Sequence, residues 1–349
     1  MPTRRSPRKA DFPDLLSAVE SRLAGPFVIV LGSPREVVDL VHALPTSDVT
    51  CYQMDLFQAT RLKAELRDAN TQAVVETSAD LWDLPRKFMT AIFPVPFGGE
   101  RGLKLDMVEQ AYHILEPGGN FIVLSPYERD DLFAKVVKKV FGKIHSPMDT
   151  KNAVYWSQAT GDKTRRRHEQ SYRVRINETS VDFASRPGVF SYGRFDHGAR
   201  ALIEAVEIKE GDKIADLGCG VGTNGILTGL KAGPTGFVAF ADSNLRALAV
   251  ADENAKKLGL ADYRCFPSTT LEGLNDDFYD VVLANPPYYA QMSIARLFAE
   301  RGRQMLKPGG RFCLVTKQID AIYPILDEVF GSCDVGELRG YYVFEATKG

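Results

Sequence analysis

Lys213-Ile214-Ala215-Asp216-Leu217-Gly218-Cys219-Gly220-Val221-Gly222-Thr223-Asn224-Gly225 decides the fold. An apolar run ends in an acid, three alternating glycines follow, and helical periodicity begins. Glycine lets a chain turn sharply and lets a ligand lie against bare backbone. The helix start beyond it carries unsatisfied N–H groups. The stretch predicts a strand, a ligand-contacting turn and a helix, the opening of an α/β unit.

Downstream, Val281-Val282-Leu283-Ala284 ends in Asn285-Pro286-Pro287-Tyr288-Tyr289. Two prolines fix the turn, so the Asn285 side chain and the Pro286 carbonyl are held in a preset relation. An amine attached to a π-system is a poor nucleophile because its lone pair is delocalised. Two acceptors aimed at its N–H groups draw it toward tetrahedral geometry and stabilise the charge that develops. Tyr288 is suited to stack on a planar group.

A repeat runs through the chain. Glu116-Pro117-Gly118-Gly119-Asn120-Phe121 recurs as Lys307-Pro308-Gly309-Gly310-Arg311-Phe312. Phe93-Pro94-Val95-Pro96-Phe97 falls on Ala284-Asn285-Pro286-Pro287-Tyr288, and Val140-Phe141-Gly142 on Val329-Phe330-Gly331. Phe27 to Gly32 matches the strand that ends at Leu217-Gly218. The expectation is two tandem Rossmann-like α/β domains, each a mostly parallel seven-stranded sheet with helices on both faces. The first copy has Leu31-Gly32-Ser33-Pro34 at the glycine turn and Pro94-Val95-Pro96-Phe97 at the second turn. It lacks the acid, the later glycines and the Asn, so it reads as degenerate and without cofactor.

The expected divisions are a basic tail at 1–10, a degenerate domain at 11–160, a basic linker at 161–184 and a catalytic domain at 185–349. The linker carries Arg165, Arg166 and Arg167, read either as a solvated strip or as a phosphate-contacting one. The chain has 349 residues, 44% hydrophobic and 25% charged, with a formal net charge of −2. That gives no global basic signature for nucleic acid, so any such surface must be a local patch. Five cysteines without a CxxC pair, and five scattered histidines, argue against a disulfide framework and a metal site. A reduced, cytoplasmic protein is expected. Met1 to Ala10 is basic without an apolar core, which is unlike a secretory signal, and no apolar run approaches membrane-spanning length.

Two cofactors fit the glycine loop. Gly220-x-Gly222-x-x-Gly225 with Asp242 satisfies a dinucleotide fingerprint. With S-adenosylmethionine, Asp216 would sit near the methionine ammonium and the Gly218-Cys219-Gly220 backbone against the adenosine. Asp242 would then accept both ribose hydroxyls, with Ser243 beside it. The D-x-G-x-G-x-G pattern resembles the first motif of class I methyltransferases. The Asn-Pro-Pro-Tyr tetrad resembles the amino-methyltransferase motif of enzymes acting on adenine N6, cytosine N4, guanine N2 or protein glutamine N5.

Arg186-Pro187-Gly188-Val189-Phe190-Ser191, then Phe195-Asp196-x-Gly198 and Leu202, precede the second copy. With the closing Gly340-Tyr341-Tyr342-Val343-Phe344, they resemble the RsmC/RlmG-type ribosomal RNA guanine-N2 methyltransferases. That resemblance implies a degenerate first domain that assists RNA binding or folding, and a catalytic second one. It implies S-adenosylmethionine as methyl donor, S-adenosylhomocysteine as product, no metal, and ribosomal RNA or a ribosomal subunit as partner of a monomer. It makes Asn285, Pro286, Pro287 and Tyr288 catalytic. Asp216, Gly218, Cys219, Gly220, Gly222, Asp242, Ser243, Ser268 and Asn285 would line the cofactor. Phe190, Ser191, Tyr288, Tyr289 and the three linker arginines would meet the substrate. From the residues alone, Phe190, Tyr192 and Phe195 suit either a stacking platform or a hydrophobic staple. Family members often carry Phe-His after Asn-Pro-Pro where this chain has Tyr288-Tyr289. The other readings are a protein glutamine amide or adenine as substrate, or a non-catalytic assembly factor.

Overall fold

The computed structural model describes residues 11–148, 150–176, 179–286 and 292–349. Pro287, Tyr288 and Tyr289, expected at the second turn, lie outside the described residues. The chain divides into two units, residues 1–168 and 169–349.

The first unit begins with α1 (Phe12–Ser17), β1 (Phe27–Val30), α2 (Pro34–Ala43), β2 (Val49–Gln53), α3 (Leu56–Asp68) and β3 (Val74–Thr77). It continues with β4 (Phe88–Pro94), α4 (Arg101–Ala111), β5 (Leu115–Leu124), α5 (Asp131–Phe141) and β6 (Val154–Gln158). Its strand order is β3-β2-β1-β4-β5-β6, parallel except for β6. Alternation sorts the strand residues onto two faces. Phe27 and Ile29 pack with Leu16, Leu40 and Leu62 from α1 to α3, while Val28 and Val30 pack with Met107, Val108 and Val137 from α4 and α5.

The second unit opens with a hairpin of β7 (Gln170–Ile176) and β8 (Thr179–Ser185), then α6 (His197–Ala205), β9 (Lys213–Leu217), α7 (Thr223–Ala232) and β10 (Phe237–Asp242). Next come α8 (Leu245–Lys257), β11 (Tyr263–Pro267), β12 (Tyr279–Ala284) and α9 (Met292–Met305). The unit closes with β13 (Leu306–Thr316), α10 (Ile319–Phe330), β14 (Asp334–Leu338) and β15 (Tyr341–Thr347). The order β11-β10-β9-β12-β13-β15-β14 repeats the first sheet through five parallel strands. Helices α6 to α8 cover one face and α9 and α10 the other.

The duplication extends to irregularities. Pairing slips between Phe88 and Thr90 in one copy and between Tyr279 and Val281 in the other. The cause is the Pro-Gly-Gly turn. A Cβ on Gly119 would lie 3.1 Å from the Phe88 carbonyl, and one on Gly310 3.0 Å from that of Tyr279.

Two expectations are corrected. The second sheet has the expected seven strands, but the first has six among the described residues, because one antiparallel strand stands where the second copy has two. The segment 161–184 is no linker. Its first part lies against the first unit, where Lys163 Nζ donates to the Val140 carbonyl at 2.8 Å. Its remainder is the β7–β8 hairpin, whose Val174, Ile176 and Phe183 enter the core of the second unit. Arg173 answers Asp182 across the strands at 2.8 Å. A run rich in arginine reads as solvated, yet alternation lets a strand expose its charges and bury the residues between them.

Helix α7 lies close on the sheet at Gly225, where a Cβ would stand 2.5 Å from the Phe240 ring and 3.1 Å from Asp216 Cβ. Gly225→Ala should therefore lose about 1–3 kcal/mol through overpacking. Hydrogen exchange of the α7 amides would read the loss, and unchanged protection would refute it.

Candidate active site

Sheet order reverses between β9 and its neighbours β10 and β12, the place where open α/β sheets take ligands at their carboxyl ends. Leu217 pairs with both Ala241 and Ala284. The next residues on these three strands are Gly218, Asp242 and Asn285, so register brings together residues 67 positions apart in sequence.

Asp216 is buried at 1% exposure. Its Oδ2 accepts from the Gly225 N–H at 2.8 Å, while Oδ1 is buried without a hydrogen-bond partner. Burial, with a smaller contribution from the negative charge of Asp242, pushes its carboxyl up to about 7 against the pull of that N–H. The Asp242 carboxylate accepts from Gly220 N and Asn244 N, each at 2.9 Å, so its direction is fixed by the turns on either side. Gly220 has φ 55°, and a Cβ there would meet nothing within 4 Å, so its bare backbone faces open space. Gly222 has φ 82°, and a Cβ there would lie 3.1 Å from Ala251 Cβ. Cys219 is buried, and desolvation holds its thiol protonated by raising its pKa well above the usual value. Ser268 N donates to the Asp242 carbonyl at 3.1 Å, which puts Ser268 beside the acid.

The loop after β8 is pinned over this region. Asn244 Nδ2 donates to the Gly188 carbonyl and Arg246 to that of Pro187, both at 2.7 Å. Val189 packs on Val221, Ala247 and Val250. Phe190 is left 46% exposed, and Ser191 has φ 62°. Phe195 packs against the unit core with Arg200 over its ring, so the staple reading suits Phe195 and the platform reading suits Phe190. Asn285 Nδ2 donates to Asp196 Oδ1 at 3.0 Å.

Sequence reasoning missed Asp196 as a partner of Asn285, and it missed Asn244, Arg246 and Asn254. Asn254, wholly buried in α8, donates to the carbonyls of Ala184 and Val221 and accepts from Ala184 N. A polar residue in the buried stripe of a helix was the available signal. Arg165, Arg166 and Arg167 fall in the first unit. Arg165 is spent on Trp82, lying 5.5 Å over its ring and donating to its carbonyl.

The first copy has other residues at the matching positions. Val30 pairs with Tyr52, and Ile29 with Ile92, so Leu31, Gln53 and Pro94 stand where Gly218, Asp242 and Asn285 stand. Gln53 donates to the Gly32 carbonyl at 3.1 Å, and Pro94 lies 2.9 Å from where a Gly32 Cβ would be. Ile29 replaces the acid of Asp216.

Fold, switch point and register define an open, mostly parallel Rossmann-like α/β sheet with a ligand-binding crevice, an architecture present twice in one chain. Residues 180–345 match the family model described as Methyltransferase small domain. Ribosomal RNA small subunit methyltransferase C of Vibrio parahaemolyticus is 28% identical over 227 residues, covering 61% of this chain and 65% of that protein. The protein of the same name from Chromohalobacter salexigens is 30% identical over 50% of this chain and 54% of its own length. The chain thus spans about half to just under two thirds of the length of the first curated relatives it matches. A solved structure, the T. thermophilus 16S rRNA N2 G1207 methyltransferase (RsmC) in complex with AdoMet and guanosine, matches at TM-score 0.73 and 19% identity. That match covers 97% of this chain and 91% of the other, and it shows that the two-unit fold is shared. The resemblance read from the motifs is upheld by these relatives.

Among the described residues, no helix is long and apolar enough to cross a membrane, and no three His, Cys, Asp or Glu side chains gather as a metal site would need.

Proposed function

We propose that the chain transfers a methyl group from S-adenosylmethionine to the exocyclic N2 amine of a guanine in small-subunit ribosomal RNA. The observation that carries this is Asn285 at the end of β12, in register with the glycine loop and Asp242. The residues suit the cofactor. The partnerless Oδ1 of Asp216 can take an ammonium, the open face of Gly220 can take a flat adenosine, and the Asp242 carboxylate can take a vicinal diol. Bound there, S-adenosylmethionine supplies an electrophilic methyl group on a sulfonium.

The chain's own task is to present the amine. Asn285 Oδ1 and the Pro286 carbonyl accept its two N–H groups and stabilise the positive charge of attack, and placing nitrogen in line with the methyl does the rest. A base in folded RNA must leave its stack to arrive there. We assign Tyr288 to stack on it, with Tyr289, Phe190 and Ser191 beside it. In this reading the first unit binds RNA or supports folding and holds no cofactor. The chain works as a cytoplasmic monomer, and Arg166 and Arg167 contact phosphate.

The test is transfer of labelled methyl to unmethylated ribosomal RNA, small subunits and large subunits, followed by nucleoside analysis. N2-methylguanosine in the small-subunit material is expected. Incorporation into protein amide alone, or none despite cofactor binding, would overturn the reading.

The Asp216 carboxyl, raised to about 7, gives a pH prediction. An ammonium beside it favours the ionised form, so binding of S-adenosylmethionine should tighten from pH 6 to 7.5 and release a proton at the lower end. Without cofactor the sign is opposite for stability. A carboxyl raised in the folded state stabilises at low pH, and that contribution is lost as pH rises through about 7. Calorimetric titration in two buffers of different ionisation enthalpy reads both the proton and the affinity. A pH-independent Kd equal in wild type and Asp216→Asn would contradict the assignment.

A further inference from the structure

We propose that Asp196 is a positioning residue that keeps the Asn285 amide the right way round for an amine. This rests on the amine-methyltransferase reading above. An Asn side chain presents an acceptor on one side and a donor on the other, and half a turn about its last torsion exchanges them. Presented with Nδ2, the amine would meet N–H groups instead of an acceptor, and Asn285 would repel what it should polarise. A carboxylate only accepts, so an amide that touches one must offer its nitrogen. Asn285 Nδ2 donates to Asp196 Oδ1 at 3.0 Å, and Oδ1 of Asn285 is thereby the atom turned to the substrate. Chemistry, and not a choice between two similar atoms, sets this orientation.

Asp196 is itself held. It is the N-cap of α6, where its Oδ1 also accepts from Ala199 N at 2.8 Å. Phe195 before it packs into the core of the second unit, and Gly198 and Ala199 after it are buried. The carboxylate is therefore fixed by a helix start 89 residues before the amide that it orients. The Phe195-Asp196-x-Gly198 stretch gains a role in this way: the helix start aims the acid, and the acid aims the amide.

Two substitutions separate orientation from capping. Asp196→Ser keeps a good N-cap but is too short to reach Asn285. Asp196→Asn keeps both bonds, because one oxygen accepts both. With ribosomal RNA as methyl acceptor, Asp196→Ser should lower kcat roughly 30- to 100-fold, somewhat less than the ~10²- to 10³-fold cost of removing such a group outright. Its Kd for S-adenosylmethionine and its melting temperature should stay close to wild type, and Asp196→Asn should restore most of the turnover. Unchanged kcat in Asp196→Ser, or equal losses in both variants, would overturn the proposal. Side-chain amide NMR keeps the two readings distinguishable. The Asn285 NH2 protons should be shifted and exchange-protected in wild type and Asp196→Asn, and released in Asp196→Ser. If wild type transfers no methyl to RNA yet shows that pattern, the substrate reading fails and the orientation stands. If the pattern is absent, the orientation fails whatever the substrate.

Discussion

Asn285→Ala is expected to lower methyl transfer by about 10²- to 10³-fold, the cost typical of removing one preorganised group from a reacting centre. The affinity for S-adenosylmethionine should scarcely change. Asn285 follows β12, whereas Asp216, Gly220 and Asp242, the groups assigned to the ammonium, the adenosine and the diol, sit on β9, β10 and the turn after β9. Alanine removes the acceptor and leaves the strand, whose Val281 to Ala284 are buried and paired on both sides. A kcat loss at constant cofactor affinity would mean that the amide acts on the amine in the transition state. Turnover near wild type would remove the proposed mechanism, since Pro286 alone would then suffice. The measurement is single-turnover methyl transfer alongside a cofactor titration.

Asp242→Ala should do the reverse and weaken S-adenosylmethionine binding by about 100-fold, from two hydrogen bonds to a charged acceptor at about 1.5 kcal/mol each. The carboxylate also holds Gly220 N and Asn244 N, so alanine loosens the loop that it should leave bare. Asp242→Asn keeps acceptor capacity on one oxygen and should fall between. At saturating cofactor, kcat of either variant should approach wild type. A Kd within threefold of wild type would show that the diol is held elsewhere.

The glycine turn, the second turn and the Pro-Gly-Gly repeat were legible because each demands particular residues for a backbone reason. A Cβ on Gly119 or Gly310 would crowd two backbone carbonyls at 2.9–3.1 Å, so the motif survives in both copies and betrays the duplication. The hairpin at 170–185 was not legible, since alternating arginines hide the apolar residues between them. The partner of Asn285 was not legible either. Its motif was visible at Phe195-Asp196, but the contact spans 89 residues and exists only through the position of α6. The same holds for Asn254, whose three bonds join β8, α8 and the glycine loop. Local signals name the residues that a ligand would touch; the residues that hold those in place are defined by tertiary neighbours.

The unequal ends of the two sheets bear on how the chain reaches its native state. Tandem copies with one strand order offer each nascent strand two similar addresses, and misassembly between neighbouring repeats is a known hazard. Here the copies finish differently, one with β6 alone and the other with the β15–β14 pair. A strand delivered to the wrong copy would meet a sheet that ends, among the described residues, with one antiparallel strand too many or too few. The asymmetry favours each half closing on itself, with the earlier half complete while the later one is still being synthesised.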